Sequence, residues 1–239
     1  MLKLSYDLHI HSCLSPCGDE DMTPVNIVNM ASIKNLDVIA VTDHNSCKNC
    51  ESVLKLADML NIIAIPGMEL CTLEEVHVLC LFADLEEAMR FDKYVYDKMI
   101  KIPNNVEIFG KQQIVNEDDK LIGEEPYLLI NATNIAFEDL DDIMSGYRGV
   151  YIPAHIDKSS NSVIANLGFI PPDLRLKSVE IKNVNKLDEL CKNNPCLKEC
   201  KILTNSDAHD LGLINESTNY LDVGQRSVDA VLRALGLDD

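Results

Sequence analysis

Short runs of apolar, often β-branched residues recur along most of the chain, and amphipathic stretches separate them. Several of these runs lack alternating polar residues, as expected for strands that are covered on both faces. The predicted strands are Leu4–His9, Asp37–Thr42, Ile62–Pro66, Val76–Phe82, Gly149–Ala154, Ser178–Ile181 and Ile202–Asn205. The predicted helices run from Thr23-Pro24 towards Lys34, from Asp84 to about Ile100, and from about Arg226 to Leu235. Repeated strand–helix units favour a parallel α/β architecture, either a barrel or an open wound sheet.

One segment departs from this alternation. Two short predicted strands flank Asn116-Glu117-Asp118-Asp119, which indicates a β-hairpin that projects from the body of the protein. The composition does not change there, and the sequence contains no internal repeat or low-complexity tract. We therefore expect one domain over residues 1–239, with a hairpin insertion at about residues 111–123.

The charge of the chain restricts its partners. It has 21 basic and 39 acidic residues among 239, a formal net charge of −18. Such a negative field repels phosphate backbones and anionic lipid surfaces. We therefore expect neither long nucleic acid nor a membrane as a partner. An acidic protein that acts on phosphate needs a local positive charge, which bound metal ions supply.

The cysteines indicate the compartment. The chain has nine, an odd number, and its first ten residues are typical of a strand rather than an export signal. These features favour the cytoplasm, where thiols stay reduced. A separate metal site of Cys13, Cys17, Cys47 and Cys50 is the alternative, but we expect reduced thiols.

The histidines carry most of the functional information. Five of the six lie at the ends of predicted strands or just after them: His9, His11, His44, His155 and His209. His77 begins an apolar run, so this pattern does not place it. The carboxyl ends of the strands in a parallel barrel open on one face, where we expect the five imidazoles to converge. A single His-x-His is often structural, whereas histidines at four strand ends indicate a metal site.

Acidic residues complete this set. Asp19, Glu69 and Asp207 each lie in a predicted loop after a strand, and Gly67 allows a sharp turn just before Glu69. Most of the 39 acidic residues are expected to be solvated surface, so position alone selects these three. A mixed set of imidazoles and carboxylates suits zinc, manganese or iron.

Four motifs together resemble the PHP superfamily, named for polymerases and histidinol phosphatase: His9-Ile10-His11, Thr42-Asp43-His44, Pro153-Ala154-His155 and Asp207-Ala208-His209. Glu69 and His77 match the two intermediate ligands of that family. The resemblance covers most of the chain. It implies a distorted, TIM-like (β/α)7 barrel with two or three divalent ions, Mn, Fe or Zn, at its C-terminal face.

The resemblance also implies the ligands of each ion. The first set is His9, His11, Glu69 and Asp207. The second set shares Glu69 and adds His77 and His155. The third set is Asp19, His44 and His209. Asp21 competes with Asp19, because the chain departs from the family pattern between Ser15 and Asp19.

The implied activity is hydrolysis of a phosphate ester, in a small molecule or a nucleotide, by a metal-bound hydroxide. Asp207 or the neighbouring His209 would transfer the proton. Asp43 would orient an imidazole, although a loop-capping role is equally consistent with its position. Lys158 and Lys182 are the predicted substrate-binding cations, and neither is distinguished by sequence from a solvated surface lysine.

Two other functions fit the same motifs. Relatives in this family attack phosphodiesters, so trimming of a 5′-phosphorylated oligonucleotide is an alternative. The other alternative is a non-catalytic module that retains metal, since domains of this family are attached to polymerases. The complete set of matching ligands favours an enzyme, and no motif specifies its substrate.

Overall fold

The computed structural model describes residues 1–171 and 173–238. Its strands are β1 (Leu2–Ile10), β2 (Val38–Val41), β3 (Ile63–Ala64), β4 (Gly67–Cys71), β5 (His77–Phe82), β6 (Gln113–Val115), β7 (Leu121–Glu124), β8 (Gly149–Pro153), β9 (Ser178–Glu180), β10 (Lys201–Leu203) and β11 (Tyr220–Val223). Its α-helices are α1 (Pro24–Ile33), α2 (Cys50–Met59), α3 (Leu85–Lys98), α4 (Val106–Phe109), α5 (Leu140–Met144), α6 (Val163–Leu167), α7 (Leu187–Asn193) and α8 (Val228–Leu235).

The strands of the described residues form four separate sheets. The largest has the order β11-β1-β2-β3, with β1, β2 and β3 parallel and β11 antiparallel to β1. A second sheet has the order β4-β5-β8 and is antiparallel throughout. Strands β9 and β10 pair in parallel, and β6 and β7 pair antiparallel. Over residues 1–171 and 173–238 the ladders form no closed barrel, so the predicted (β/α)7 barrel is not confirmed, whereas the mixed α/β class is.

The departure from a parallel arrangement begins at β4, where the sequence pattern predicts a loop. Only five residues separate Cys71 from His77, and the amide of Thr72 donates to the carbonyl oxygen of Val76 at 2.9 Å. A parallel pairing needs a crossover of roughly a dozen residues or more. This short turn therefore returns β5 antiparallel to β4.

Single bridges join the sheets at the end of the molecule where β1, β2 and β8 finish. Ile10 pairs with Ala208, and His44 pairs with Glu69. The amide of Ile156 donates to the carbonyl oxygen of Glu180 at 2.9 Å. These bridges bring the segments after the strands to one edge.

The three helices predicted from the sequence each begin after a capping residue. Thr23 caps α1 by accepting from the amide of Asn26, Asp84 caps α3, and Ser227 caps α8. Three apolar clusters pack between helices and sheets, and one of them lies between α8 and the strands β1, β2, β5 and β8. Aliphatic residues dominate this cluster. This apolar cluster packs the strands whose ends carry the histidines.

The hairpin of β6 and β7 lies in the segment where the sequence predicts one. Its first strand does not project freely, because it is bonded to neighbouring loops. The amide of Gln113 donates to the carbonyl oxygen of Cys13 at 2.9 Å, and the amide of Val115 donates to Asn49 Oδ1 at 3.0 Å. The hairpin therefore packs beside the loop that follows β1.

Within the described residues, every helix is too short or too polar to cross a lipid bilayer.

Candidate metal centre

The six histidines lie together at the edge where β1, β2 and β8 end. Five imidazoles form a closed ring, with neighbouring centroids 4.6 to 5.8 Å apart: His9, His11, His44, His77 and His155. The sixth, His209, stacks on His11 with centroids 4.2 Å apart. The strand-end pattern thus brings together all the histidines that it selects.

The antiparallel direction of β5 explains why His77 joins them. His77 is the first residue of its strand, and the amide of Ala154, just after β8, donates to the carbonyl oxygen of His77 at 3.0 Å. The beginning of an antiparallel strand lies beside the end of its neighbour. His77 therefore reaches the same edge as His155.

Glu69 occupies the middle of the imidazole ring. It lies on β4, not in the predicted loop, and is 1% exposed. The distances from its carboxylate oxygens to the nearest nitrogens of the five ring histidines are 3.0 to 3.3 Å. One carboxylate within reach of five imidazoles is the geometry expected of a bridging ligand.

Asp207 approaches the same cluster from the other side. Its Oδ1 lies 3.4 Å from His9 Nε2 and 3.5 Å from His11 Nε2. Its other oxygen accepts a hydrogen bond from Lys158 Nζ at 2.7 Å, and Lys182 Nζ lies 3.9 Å away. Both predicted substrate-binding lysines therefore lie at the mouth of the cluster.

Two of these residues have left-handed backbone conformations. Asp207 has φ of 54° and His155 has φ of 31°. Aspartate tolerates this region, whereas for histidine it is uncommon and costs about 1–3 kcal/mol. The amide of His155 is held by Glu180 Oε1 at 3.1 Å. Strain of this kind is typical of sites where side-chain direction matters.

Glu180 is a site residue that the sequence analysis missed. It is fully buried, and its Oε2 lies 2.9 Å from His9 Nδ1 and accepts from Asn205 Nδ2 at 2.8 Å. Because the carboxylate accepts from Nδ1, Nε2 of His9 is left free to bind a metal ion. An acidic residue within the apolar run of β9 was the available signal.

Asp43 acts on an imidazole only through a serine. Its carboxylate accepts from the amide and hydroxyl of Ser12 at 2.7 and 2.6 Å, and from the hydroxyl of Ser15 at 2.7 Å. Since that hydroxyl donates to Asp43, it accepts from His11 Nδ1, 3.0 Å away. Nε2 of His11 then points towards Glu69 with its lone pair available.

The charges in the cluster shift its pKa values in opposite directions. Burial alone would lower the pKa of His9, but Glu180, Glu69 and Asp207 raise it well above its usual value. Burial lowers the pKa of His44 to about 3. Burial opposes ionisation of Glu69, yet the imidazoles, His77 foremost, hold its pKa well below the usual value.

Without metal, protons on some imidazoles therefore balance the carboxylates. The pKa of His77 is lowered by burial but raised more strongly by Glu69, to about 10. Metal ligands must be deprotonated, so divalent ions compete with these protons. We expect the affinity for Zn²⁺ or Mn²⁺ to rise with pH below about 10, with protons released on binding. Titration with metal in a weakly buffered indicator solution measures both effects.

The donor set fits divalent metal ions. Four buried side-chain atoms of the cluster make no aligned hydrogen bond within the described residues: His44 Nδ1, Glu69 Oε2, His77 Nε2 and His155 Nδ1, although the first two lie 3.0 Å apart. Buried polar atoms normally have hydrogen-bond partners, and burying them without partners costs free energy of folding. Two groups have ligand atoms mutually within 4.8 Å, His9–His11–Glu69 and His44–Glu69–His77. These residues could hold metal.

A third group contains an unexpected member. Cys17 Sγ and nitrogen atoms of His11, His44 and His209 all lie within 4.8 Å of one another. Asp19, predicted for this position, belongs to none of the groups found among residues 1–171 and 173–238. Its carboxylate accepts instead from the amide of Asp21 at 2.8 Å.

The other cysteines of the alternative four-cysteine site lie elsewhere. Cys47 and Cys50 are buried, and the thiol of Cys50 donates to the carbonyl oxygen of Gly67 at 3.4 Å. Cys13 is also buried, near the carbonyl oxygen of Gln113. No metal-capable group in the described part of the chain contains any of these three.

Solved structures share this fold. Endonuclease Q of Pyrococcus furiosus, a lesion-specific endonuclease, superposes with a TM-score of 0.72 at 17% identity, over 98% of this chain and 56% of that one. A structure of endonuclease Q with a 27-mer duplex bearing an abasic lesion gives 0.67 at 18% identity, with the same coverage. A candidate metal-dependent phosphoesterase of Bifidobacterium adolescentis gives 0.64 at 15% identity, over 98% and 96%.

Sequence comparison gives a nearer relative. An uncharacterized protein of Methanocaldococcus jannaschii is 32% identical over 92 residues, which are 35% of this chain and 54% of that protein. The matches thus span about half the length of this relative and of endonuclease Q. The family model of the PHP domain matches residues 7–152, which include all the site histidines except His155 and His209. The chain therefore belongs to the PHP domain family, whose members include metal-dependent phosphoesterases.

Proposed function

We propose that this protein hydrolyses a phosphate ester of a small phosphorylated molecule or nucleotide, with two or three divalent ions (Mn, Fe or Zn) as cofactor. The observation that carries the proposal is the buried carboxylate of Glu69 among five imidazoles at 3.0 to 3.3 Å. We propose that residues 1–239 form one phosphoesterase domain. The nine free cysteines support a cytoplasmic location.

The contacts within the cluster support the following ligand sets. His9, His11, Glu69 and Asp207 would hold the first ion, and Glu69, His77 and His155 the second. His44 and His209 would contribute to the third. When bound, such ions supply an activated water and neutralise charge on the phosphoryl oxygens.

Protein residues at the mouth would orient the substrate and move the proton. Lys158 and Lys182 present ammonium groups beside Asp207, where an incoming phosphate meets them. His209 is more accessible than the ring histidines, with its side chain 31% exposed. Burial and the neighbouring His11 lower its pKa to about 4, so its imidazole is neutral at neutral pH and has a lone pair available. We propose that His209 or Asp207 transfers the proton, whichever of the two is not bound to an ion at that point.

The first experiment is metal analysis of protein purified without chelator, together with turnover of p-nitrophenyl phosphate. Two or three equivalents of Mn, Fe or Zn, with turnover that stops on chelation and returns on reconstitution, are expected. Less than one equivalent after reconstitution contradicts the proposal. Bound metal without turnover of any phosphate ester favours a non-catalytic metal-binding module.

A phosphodiesterase is the second candidate, supported by the fold shared with endonuclease Q. The net charge of −18 weighs against extended contact with nucleic acid. Cleavage of short 5′-phosphorylated oligonucleotides and of phosphomonoesters should be compared at several salt concentrations. Binding through several phosphates weakens steeply with salt, whereas a small substrate shows little dependence. A steep slope would favour the nuclease.

Replacement of Lys158 tests the proposed anion-binding role. We expect Lys158→Ala to raise KM for a phosphomonoester roughly three- to tenfold, because a charge-assisted contact is lost at an accessible position. Metal content should not fall. The measurement is steady-state kinetics with Lys55→Ala as control, since Lys55 pairs with Glu51 and Glu117 outside the cluster. An unchanged KM would remove Lys158 from the substrate site.

A further inference from the structure

The loop after β1 places a cysteine where the resemblance implies a carboxylate. Cys17 is an exposed residue, and its Sγ lies within 4.8 Å of ligand nitrogens of His11, His44 and His209. Three imidazoles and one thiol at this spacing are the ligand types of zinc sites. A single cysteine does not indicate a metal site by itself, but the three histidines beside Cys17 already belong to the proposed metal centre.

The loop fixes the position of Cys17 through tight turns. The amide of Ser15 donates to the carbonyl oxygen of Ser12 at 3.0 Å, and the amide of Gly18 donates to that of Ser15 at 2.9 Å. A Cβ atom on Gly18 would lie 2.4 Å from the carbonyl oxygen of Ser12, so this turn requires glycine. Cys17 therefore stands in a constrained turn.

Both sides of this turn are attached to the histidine cluster. Before Cys17, the hydroxyl of Ser15 accepts from His11 Nδ1 at 3.0 Å. After it, the amide of Asp19 donates to the carbonyl oxygen of His209 at 2.9 Å. These two hydrogen bonds connect the loop to His11 and His209, and Cys17 lies between the two bonded residues of the loop.

Asp19 is used differently. Its Oδ1 closes a local turn with the amide of Asp21 at 2.8 Å, and no metal-capable group of the described residues includes it. The carboxylate implied for this position is therefore engaged in a local turn, and a thiol lies among the histidines instead.

We propose that Cys17, as a thiolate, binds the third divalent ion together with His44 and His209, and that this position prefers zinc to manganese. The inference rests on the proposed metal-dependent function and specifies one of its ions. On binding, the thiol proton passes to solvent and a metal–sulfur bond forms. Thiolate is a soft ligand that suits zinc, whereas manganese prefers oxygen.

His11 belongs with the neighbouring ion. Its Nδ1 is bonded to Ser15, and its Nε2 lies 3.2 Å from His9 Nε2 and 3.3 Å from Glu69 Oε2. Three protein ligands then remain for the third ion. A three-ligand site leaves a position for water or a phosphoryl oxygen, as in catalytic zinc sites.

Cobalt provides a spectroscopic test that does not depend on activity. The metal-free protein is reconstituted with Co²⁺, and near-ultraviolet absorption is recorded for sulfur-to-cobalt charge transfer, with bound cobalt counted in parallel. We expect wild type to show the band, and Cys17→Ser and Cys17→Ala to lose both the band and one equivalent of cobalt. Competition of Zn²⁺ with Mn²⁺ for that equivalent should favour zinc at least tenfold in wild type and less in both variants.

Two matched variants complete the design. Cys196→Ser removes an exposed cysteine outside every metal-capable group of the described residues and should keep the band. Asp19→Asn can still accept from the amide of Asp21, so it removes only the charge, and it should keep all the cobalt. Wild type that binds three equivalents of cobalt without the charge-transfer band would overturn this inference but not the proposed function. The same holds if Asp19→Asn loses the third equivalent of cobalt and Cys17→Ser keeps it. Less than one equivalent in wild type would overturn the proposed function as well.

Discussion

Glu69→Gln should abolish the metal centre while leaving the fold intact. The substitution keeps the shape of the side chain but removes the charge that faces five imidazoles at 3.0 to 3.3 Å. An amide can bind at most weakly where a bridging carboxylate is required. Loss of an outer partner of a metal ligand typically costs about 10–100-fold. Turnover should therefore fall by more than about 100-fold, with less metal retained per chain.

A second buried glutamate provides the control. Glu125 is 3% exposed and pairs with Lys48, and it belongs to none of the metal-capable groups within the described residues. Glu125→Gln should retain its metal and its turnover, although its stability will change. Circular dichroism of both variants separates loss of metal from loss of fold. Full metal content in Glu69→Gln would show that Glu69 is not a bridging ligand.

The arrangement of the histidines could largely be predicted from the sequence, because it depends on local features. A residue at the end of a strand lies at the edge of the sheet, and His9, His44 and His155 each come at the end of an apolar run or just after it. His77 could not be placed in this way. Its position depends on the direction of β5, which the five-residue connection to β4 determines. The same turn explains why β5 pairs antiparallel to β4, where the sequence pattern predicts parallel strands.

Other site residues depend on contacts between distant segments. Glu180 is one of 39 acidic residues and lies 171 positions after His9 in the sequence, so only the folded structure shows that the two are in contact. Cys17 and Asp19 flank Gly18, and only the folded structure shows that the Cys17 thiol lies beside the histidines whereas the Asp19 carboxylate accepts from the amide of Asp21. Residue type and spacing alone do not indicate which way a side chain points.

Glu180→Gln should weaken metal binding without removing the site. The carboxylate lies 2.9 Å from His9 Nδ1 and also accepts from Asn205 and from the amide of His155. Its charge makes the imidazole of His9 a stronger base and fixes Nε2 towards the metal. We expect the affinity for metal to fall about 10–100-fold, and turnover at limiting metal to fall with it.

Excess metal distinguishes this role from that of a ligand. Since Glu180→Gln lowers affinity but leaves His9 and Glu69 in place, raising the free metal concentration about 10–100-fold should restore most of the turnover. The same treatment should not rescue Glu69→Gln, in which the bridging group itself is missing. Failure of rescue in Glu180→Gln, with the protein still folded, would mean that Glu180 contributes to the chemical step. Equal rescue of both variants would show that Glu69 does not bridge the ions, and its assignment would have to be abandoned.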